Sequence, residues 1–271
     1  MPRRLSLIAG SGALPVHVLA AARRNGDAVQ VLALTDRGGL GEVTRVSAGK
    51  LKPIIRAIGT FGATHLVLAG GIDLADSDRE AIASALGPAT AGRGDGALSR
   101  IGEMLANETG ARLVGAQQIA PELLVGDGLL AGPAPLSDAV ATARYALAQA
   151  REAGRLDLGQ ALVASSGRVV AVEDAAGTDA LLARVGQMRR RGPLGAERAT
   201  LVLAKASKPG QPLTVDLPAI GPRTIARAAA AGITMIALEA KRTLVLERGK
   251  VEREAARLGV SVLGLVVGRN G

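Results

Sequence analysis

Lys205, Lys208, Asp216 and Arg223 fall within one stretch, KASKPGQPLTVDLPAIGPRTI (205–225), set between the apolar runs ATLVLAKA and ARAAAAGITMIALEA. Two ammonium groups, a guanidinium and a carboxylate on one loop suit a pyrophosphate and its divalent cation. The cations neutralise phosphate oxygens, and the carboxylate is a hard oxygen ligand. Pro209, Pro212, Pro218 and Pro222 stiffen the stretch, so less entropy is lost when it orders around a ligand. The alternative is a surface loop with solvated charges. Upstream, VEDAAGTDALLARV (172–185) separates Glu173 from Asp179 by a strand-to-helix turn at Gly177-Thr178. The two carboxylates could converge on a hard divalent ion. Equally, Thr178 caps the following helix and Asp179 complements its dipole.

Glycine-rich turns form a second group. IAGSGALP (8–15) places Gly10, Ser11 and Gly12 where a strand hands over to a helix, a seat for phosphate on backbone N–H groups. AGGID (69–73), with Gly70 and Gly71, and GRGDGALSR (92–100), with Asp95, repeat the device where open parallel sheets bind ligands. Asp95 reads equally well as a helix cap. The first turn departs from a dinucleotide fingerprint at Pro15, and Asp36 is only loosely placed for a ribose contact. An NAD-type oxidoreductase is therefore one rival reading. His17, in a helical pattern, and His65, at a strand start, read as structural.

The elements that must position these groups follow from apolar periodicity. Residues 5–10, 28–34, 64–71 and 111–116 are strand-like, and helical patterns cover 13–26, 49–62, 78–87 and 97–109. That alternation predicts βαβ units and a parallel sheet. The glycines and prolines of VGDGLLAGPAPLSD (125–138) read as an interdomain linker. Beyond it, a helix over 137–154 precedes QALVASSGRVVAVE (160–173), a hairpin turning at Ser-Gly. Helices near 178–190, 222–231 and from 249 alternate with ATLVLAKA, TMIALEA, TLVLER and VSVLGLVV, which gives a second α/β domain with a mixed sheet. The expected domains are 1–128 and 137–271, joined through 129–136, consistent with 271 residues at roughly 100–200 per domain.

Composition narrows the function classes. Hydrophobic residues make up 48% of the chain, yet Phe61 and Tyr145 are its only aromatics, so cores must be aliphatic and base stacking is poorly served. Without cysteine, disulfides and thiolate metal sites are excluded. A net charge of +9 suits nucleic acid, an anionic membrane surface, an acidic substrate, or simply solvated arginine faces. Scattered basic residues and missing aromatics disfavour nucleic acid. The start, MPRRLSLIAGSGALP, reads as a first strand rather than a signal peptide, and no window of about 18 apolar residues is free of charge or glycine. A cytoplasmic protein is expected.

Taken together, IAGSGALP, VLAGGI, GDGAL, LDLGQALV, GTDALLARV, KASKPGQ, DLPAIGPRTI and AAAAGITMIALEA resemble the LpxI-type UDP-2,3-diacylglucosamine pyrophosphatase family of lipid A biosynthesis. The resemblance runs in order over nearly the full chain. It implies a Rossmann-like N-terminal domain, a distinct C-terminal α/β domain and a ligand cleft between them. It also implies metal-assisted hydrolysis (Mg²⁺ or Mn²⁺) by water attack on the β-phosphorus, giving 2,3-diacylglucosamine 1-phosphate and UMP. Carried onto this sequence, Asp216, Asp179, Lys205 and Lys208 are the expected catalytic residues. Asp216, Asp179 and Glu173 are the expected metal ligands. Gly10, Ser11, Gly12, Gly70, Gly71, Asp95, Thr178, Gln211 and Arg223 are expected to bind substrate. Two departures stand out: AVEDAAGTD where the family pattern is AVEAIEGTD, and Pro212 where it has an acid. Asp174 is the candidate replacement, displaced by two. The enzyme so implied works peripherally at the inner leaflet, with its oligomeric state open. A non-catalytic nucleotide- or lipid-binding module of the same fold is the other rival.

Overall fold

The computed structural model describes residues 2–36, 38–71, 95–192, 200–210, 214 and 217–268, with side chains from Ser99 onward in the helix Asp95–Thr109. The expected helix over 78–87, the side chain of Asp95, and Gln211 and Asp216 lie outside the described residues. The chain forms two compact units, one built on Met1–Pro121, the other on Glu122–Gln211 and Leu217–Gly271.

In the first unit, β1 (Arg4–Ala9), β2 (Ala28–Ala33), β3 (Thr44–Arg45), β4 (His65–Ala69) and β5 (Arg112–Leu113) form a parallel sheet in the order β3-β2-β1-β4-β5. Its helices are α1 (Leu14–Arg24), α2 (Leu51–Phe61), α3 (Asp95–Thr109) and the short α4 (Ala116–Ile119). Helix α2 buries Leu51, Ile54 and Ile58, one stripe at helical spacing, and stops at Gly62 in the left-handed conformation. The strand order turns back at β1, so the crevice beyond the ends of β1 and β4 is the topological switch point where such sheets take ligands.

The second unit contains β6 (Gly128–Ala131), α5 (Ser137–Arg155), β7 (Ala161–Ser165), β8 (Arg168–Val172), α6 (Gly177–Arg190), β9 (Leu201–Lys205), β10 (Ala219–Ile220), α7 (Pro222–Ala230), β11 (Met235–Glu239), β12 (Leu244–Val245), α8 (Arg248–Leu258) and β13 (Ser261–Leu265). Its main sheet runs β6-β13-β11-β9-β7-β8. Strands β9, β11 and β13 are parallel, while β6 and β7 run antiparallel to their neighbours. The expected hairpin is β7–β8, turning through Ser166 and Gly167, both at positive φ.

Both faces of this sheet are covered, which is why its strands read as continuous apolar runs. Leu162, Ala164, Val202, Ala204, Met235 and Ala237 pack with the Ala143, Ala146, Leu147 and Ala150 stripe of α5, and the partly buried Tyr145 packs against that layer. The alternate residues, Val163, Leu201, Leu203, Ile236 and Leu238, pack with Leu181, Val185, Ile225 and Val251 from α6, α7 and α8. The fold class is thus α/β, with one parallel and one mixed sheet.

Two expectations need correction. Residues 128–131, within the stretch read as a linker, form β6 and pair with β13, because an edge strand tolerates the glycines that suggested a linker. TLVLER contributes only Leu244–Val245, in a separate two-stranded ribbon with β10.

Candidate active site

At the switch point of the first unit, the chain after β1 and the chain after β4 bridge each other. Ser11 N donates to the Gly71 carbonyl at 2.7 Å, Gly71 N to the Ser11 carbonyl at 3.0 Å, and Gly10 N to the Ala69 carbonyl at 2.9 Å. The bridge needs glycine on both sides. A Cβ at Gly10 would stand 2.3 Å from the Gly71 carbonyl oxygen, and one at Gly70, whose φ is +91°, 2.2 Å from the Ser11 carbonyl oxygen. Gly10, Ser11, Gly70 and Gly71 are therefore brought together, with Gly12 leading into α1. The amides of Gly10, Ser11 and Gly71, expected to face an anion, are bonded to neighbouring carbonyls. Asp36 forms an exposed ion pair with Arg45.

In the second unit, the described site residues gather at the carboxyl edge of the parallel strands. Lys205 ends β9 and is buried, at 8% exposure. Its Nζ donates to Thr178 Oγ1 at 3.0 Å and to the Ala219 carbonyl at 3.2 Å. Thr178 in turn donates to Glu173 Oε1 at 2.5 Å, and Glu173 Oε2 accepts from Gln160 N at 2.7 Å. The N-cap of α6 is Ala176, which makes no side-chain cap. The Thr178 hydroxyl therefore serves the Glu173–Lys205 relay rather than the helix end.

Asp179 turns to other partners. Its Oδ2 lies 3.1 Å from Arg223 Nη2 and 2.6 Å from Arg227 Nη1, tying the first turn of α6 to α7. Pro222 opens α7 after the N-cap Gly221, which puts Arg223 in its first turn, as proline at that position favours. Lys208 Nζ bonds Asp157 Oδ1 at 2.6 Å, where Asp157, just beyond α5, adopts φ +55°.

Several residues at this edge escape sequence reasoning. Glu239, at the end of β11, accepts from Ser207 N at 2.8 Å and Ser207 Oγ at 2.9 Å, and pairs with Arg151 Nη1 at 2.9 Å. Gly154 on α5 lets the loop settle against the helix, because a Cβ there would lie 3.2 Å from Lys208 Cα. The only local signal was an acid closing an apolar strand.

Among the described residues, no three carboxylate or imidazole groups cluster as a metal site would require. Both Glu173 oxygens are engaged by Thr178 and Gln160, and Asp179 is held by two guanidiniums, which disfavours it as a cation ligand. These carboxylates do not fit a divalent ion on their own. Asp174 is drawn to Arg184, with Nη1 2.8 Å from its Oδ2; that hydrogen bond, then one from the Ala176 amide, holds its carboxyl below the usual range. His65 pairs with Thr64 Oγ1, and burial followed by the nearby Arg3 and Arg112 lowers its pKa.

Comparison with known proteins joins the two units into one assignment. The LpxI N-terminal domain model matches residues 4–123, and the LpxI C-terminal domain model matches residues 126–263. The chain is 37% identical to the UDP-2,3-diacylglucosamine pyrophosphatase LpxI of Caulobacter vibrioides, over 97% of its own length and 98% of that protein's. This chain belongs to the LpxI family.

Proposed function

We propose that this protein hydrolyses UDP-2,3-diacylglucosamine to 2,3-diacylglucosamine 1-phosphate and UMP. The observation that carries the reading is the identity, sustained along both chains, to a pyrophosphatase of that name. In the proposed reaction, water adds to the β-phosphorus and the bond from that phosphorus to the bridging oxygen breaks. UMP leaves with the bridging oxygen, and the lipid phosphate keeps the oxygen from water. Such a transfer depends on positioning and charge neutralisation more than on a covalent nucleophile.

Lys205, Lys208 and Arg223 are proposed to take the pyrophosphate charge, and Asp216 to position the water. The carboxyl-edge cluster around Lys205 supports this assignment, because ligands of such sheets bind at that edge. The glycine turns of the first unit are proposed to contribute to substrate binding. Participation of Mg²⁺ or Mn²⁺ rests on Asp216.

The substrate's two acyl chains would keep it in a bilayer, so the enzyme is proposed to act at the cytoplasmic membrane face. Among the described residues, no helix is long and apolar enough to cross a membrane. The test is turnover of UDP-2,3-diacylglucosamine by purified protein in heavy-oxygen water, with added Mg²⁺ and with EDTA. Label in the lipid phosphate is expected. Absence of turnover under every metal condition would sink the reading, and label in UMP would move the attack to the other phosphorus.

A further inference from the structure

We propose that Glu239 is a positioning residue, which sets where Lys205 and Lys208 stand by gripping Ser207 between them. The inference rests on the reading that these lysines act on the pyrophosphate. Strands β9 and β11 are paired with Leu238 opposite Lys205, so Glu239 lies beside the point where the chain leaves β9. The lysines reach different partners: Lys205 bonds Thr178 and Lys208 bonds Asp157. Ser207, like Ala206 before it, is buried, at 4% exposure, and it carries the polar side chain there.

Glu239 is 2% exposed, and a buried carboxylate is costly unless paired and hydrogen-bonded. Here one oxygen takes both the amide and the hydroxyl of Ser207, while the other pairs with Arg151 and lies 3.6 Å from Arg242 Nε. Arg242 Nη1 also reaches Ser207 Oγ at 3.5 Å. Buried ion pairs of this kind are often matched or exceeded in stability by apolar side chains, so bulk stability is a weak reason for one. A two-point grip on a single loop residue is a stronger reason, because it selects one loop conformation. Helix α5 supplies the other side of the clamp. Arg151 holds Glu239, Gly154 one turn later admits Lys208 and Pro209, and Asp157 receives the Lys208 ammonium.

The experiment compares Glu239→Ala, Glu239→Gln and Ser207→Ala, each alone and combined with Lys208→Ala, on UDP-2,3-diacylglucosamine. Misplacing reacting groups by about 1 Å costs roughly 100-fold, so Glu239→Ala should lower kcat by about 10–100-fold with KM changed less than about threefold. The glutamine carbonyl can still accept from Ser207, so Glu239→Gln should recover to within about 10-fold of wild type. Glu239→Ala combined with Lys208→Ala should lose less than the product of the two single losses, since part of what Glu239→Ala costs acts through Lys208. Multiplicative losses in the double variant, or wild-type kcat in Glu239→Ala, would overturn the proposal.

Should Glu239→Ala fail to fold, Ser207→Ala decides, since it leaves the buried ion pair intact. A kcat about 5–10-fold lower supports the grip, and wild-type kcat overturns it. If the wild-type protein does not turn over this substrate, the functional reading fails and the grip is judged separately by amide exchange over 206–210. Exchange should be faster in Ser207→Ala, and unchanged exchange would overturn the grip.

Discussion

Thr178 shows how a single hydroxyl can be misread from its neighbours in sequence. GTDALL looks like a capped helix start, but the hydroxyl bridges a carboxylate to a buried ammonium contributed 27 residues later. Thr178→Val would leave Lys205 short of an acceptor and Glu173 short of a donor. We expect kcat/KM to fall by about 10–100-fold, with Thr178→Ser recovering most of it, because unpaired buried polar groups cost about 1–3 kcal/mol. Equal activity in the valine variant would reduce the relay to packing. Lys205 and Glu173 could be picked out as candidates because they flank turns rich in proline and glycine, whereas the neighbours of Thr178 suggested a cap. Glu239 was not, since its meaning depends on Ser207, 32 positions away, and Arg151, 88 positions away. Asp179 was picked out as a candidate acid, but its arginine partners became visible only once α6 lay against α7.

Among the elements, the bridge between the chain after β1 and the chain after β4 has little tolerance for added bulk. Gly10→Ala would press a methyl group into the Gly71 carbonyl, which is backbone and can yield only by breaking the bridge. Overpacking of this kind costs about 1–3 kcal/mol, so a lower urea midpoint and reduced turnover are expected together. An unchanged midpoint would mean that the bridge contributes nothing. The parallel strands and the β7–β8 hairpin could be read from apolar runs and from the Ser-Gly turn, both local signals. The edge strand β6 could not: GDGLLAGPAP has the composition of a linker, and its pairing partner arrives only at Val262–Gly264.

For the whole molecule, a net charge of +9 and a substrate proposed to reside in a bilayer lead to a prediction about association. Each basic residue near an anionic surface contributes about 1 kcal/mol, and the attraction falls off within roughly 10 Å at 0.1 M salt. The protein should co-sediment with phosphatidylglycerol vesicles at low ionic strength and be released by several hundred millimolar salt. Binding that persists at high salt would point to an inserted apolar element. Absence of binding even at low salt would confine lipid contact to the substrate site. The aliphatic layers also decide what light can report. Tyr145 on α5 is the sole tyrosine and the chain has no tryptophan, while Phe61 sits in the first unit beneath the Arg4 guanidinium. Tyrosine emission therefore follows the second unit alone, and a melt recorded by that signal leaves the state of the first unit unseen.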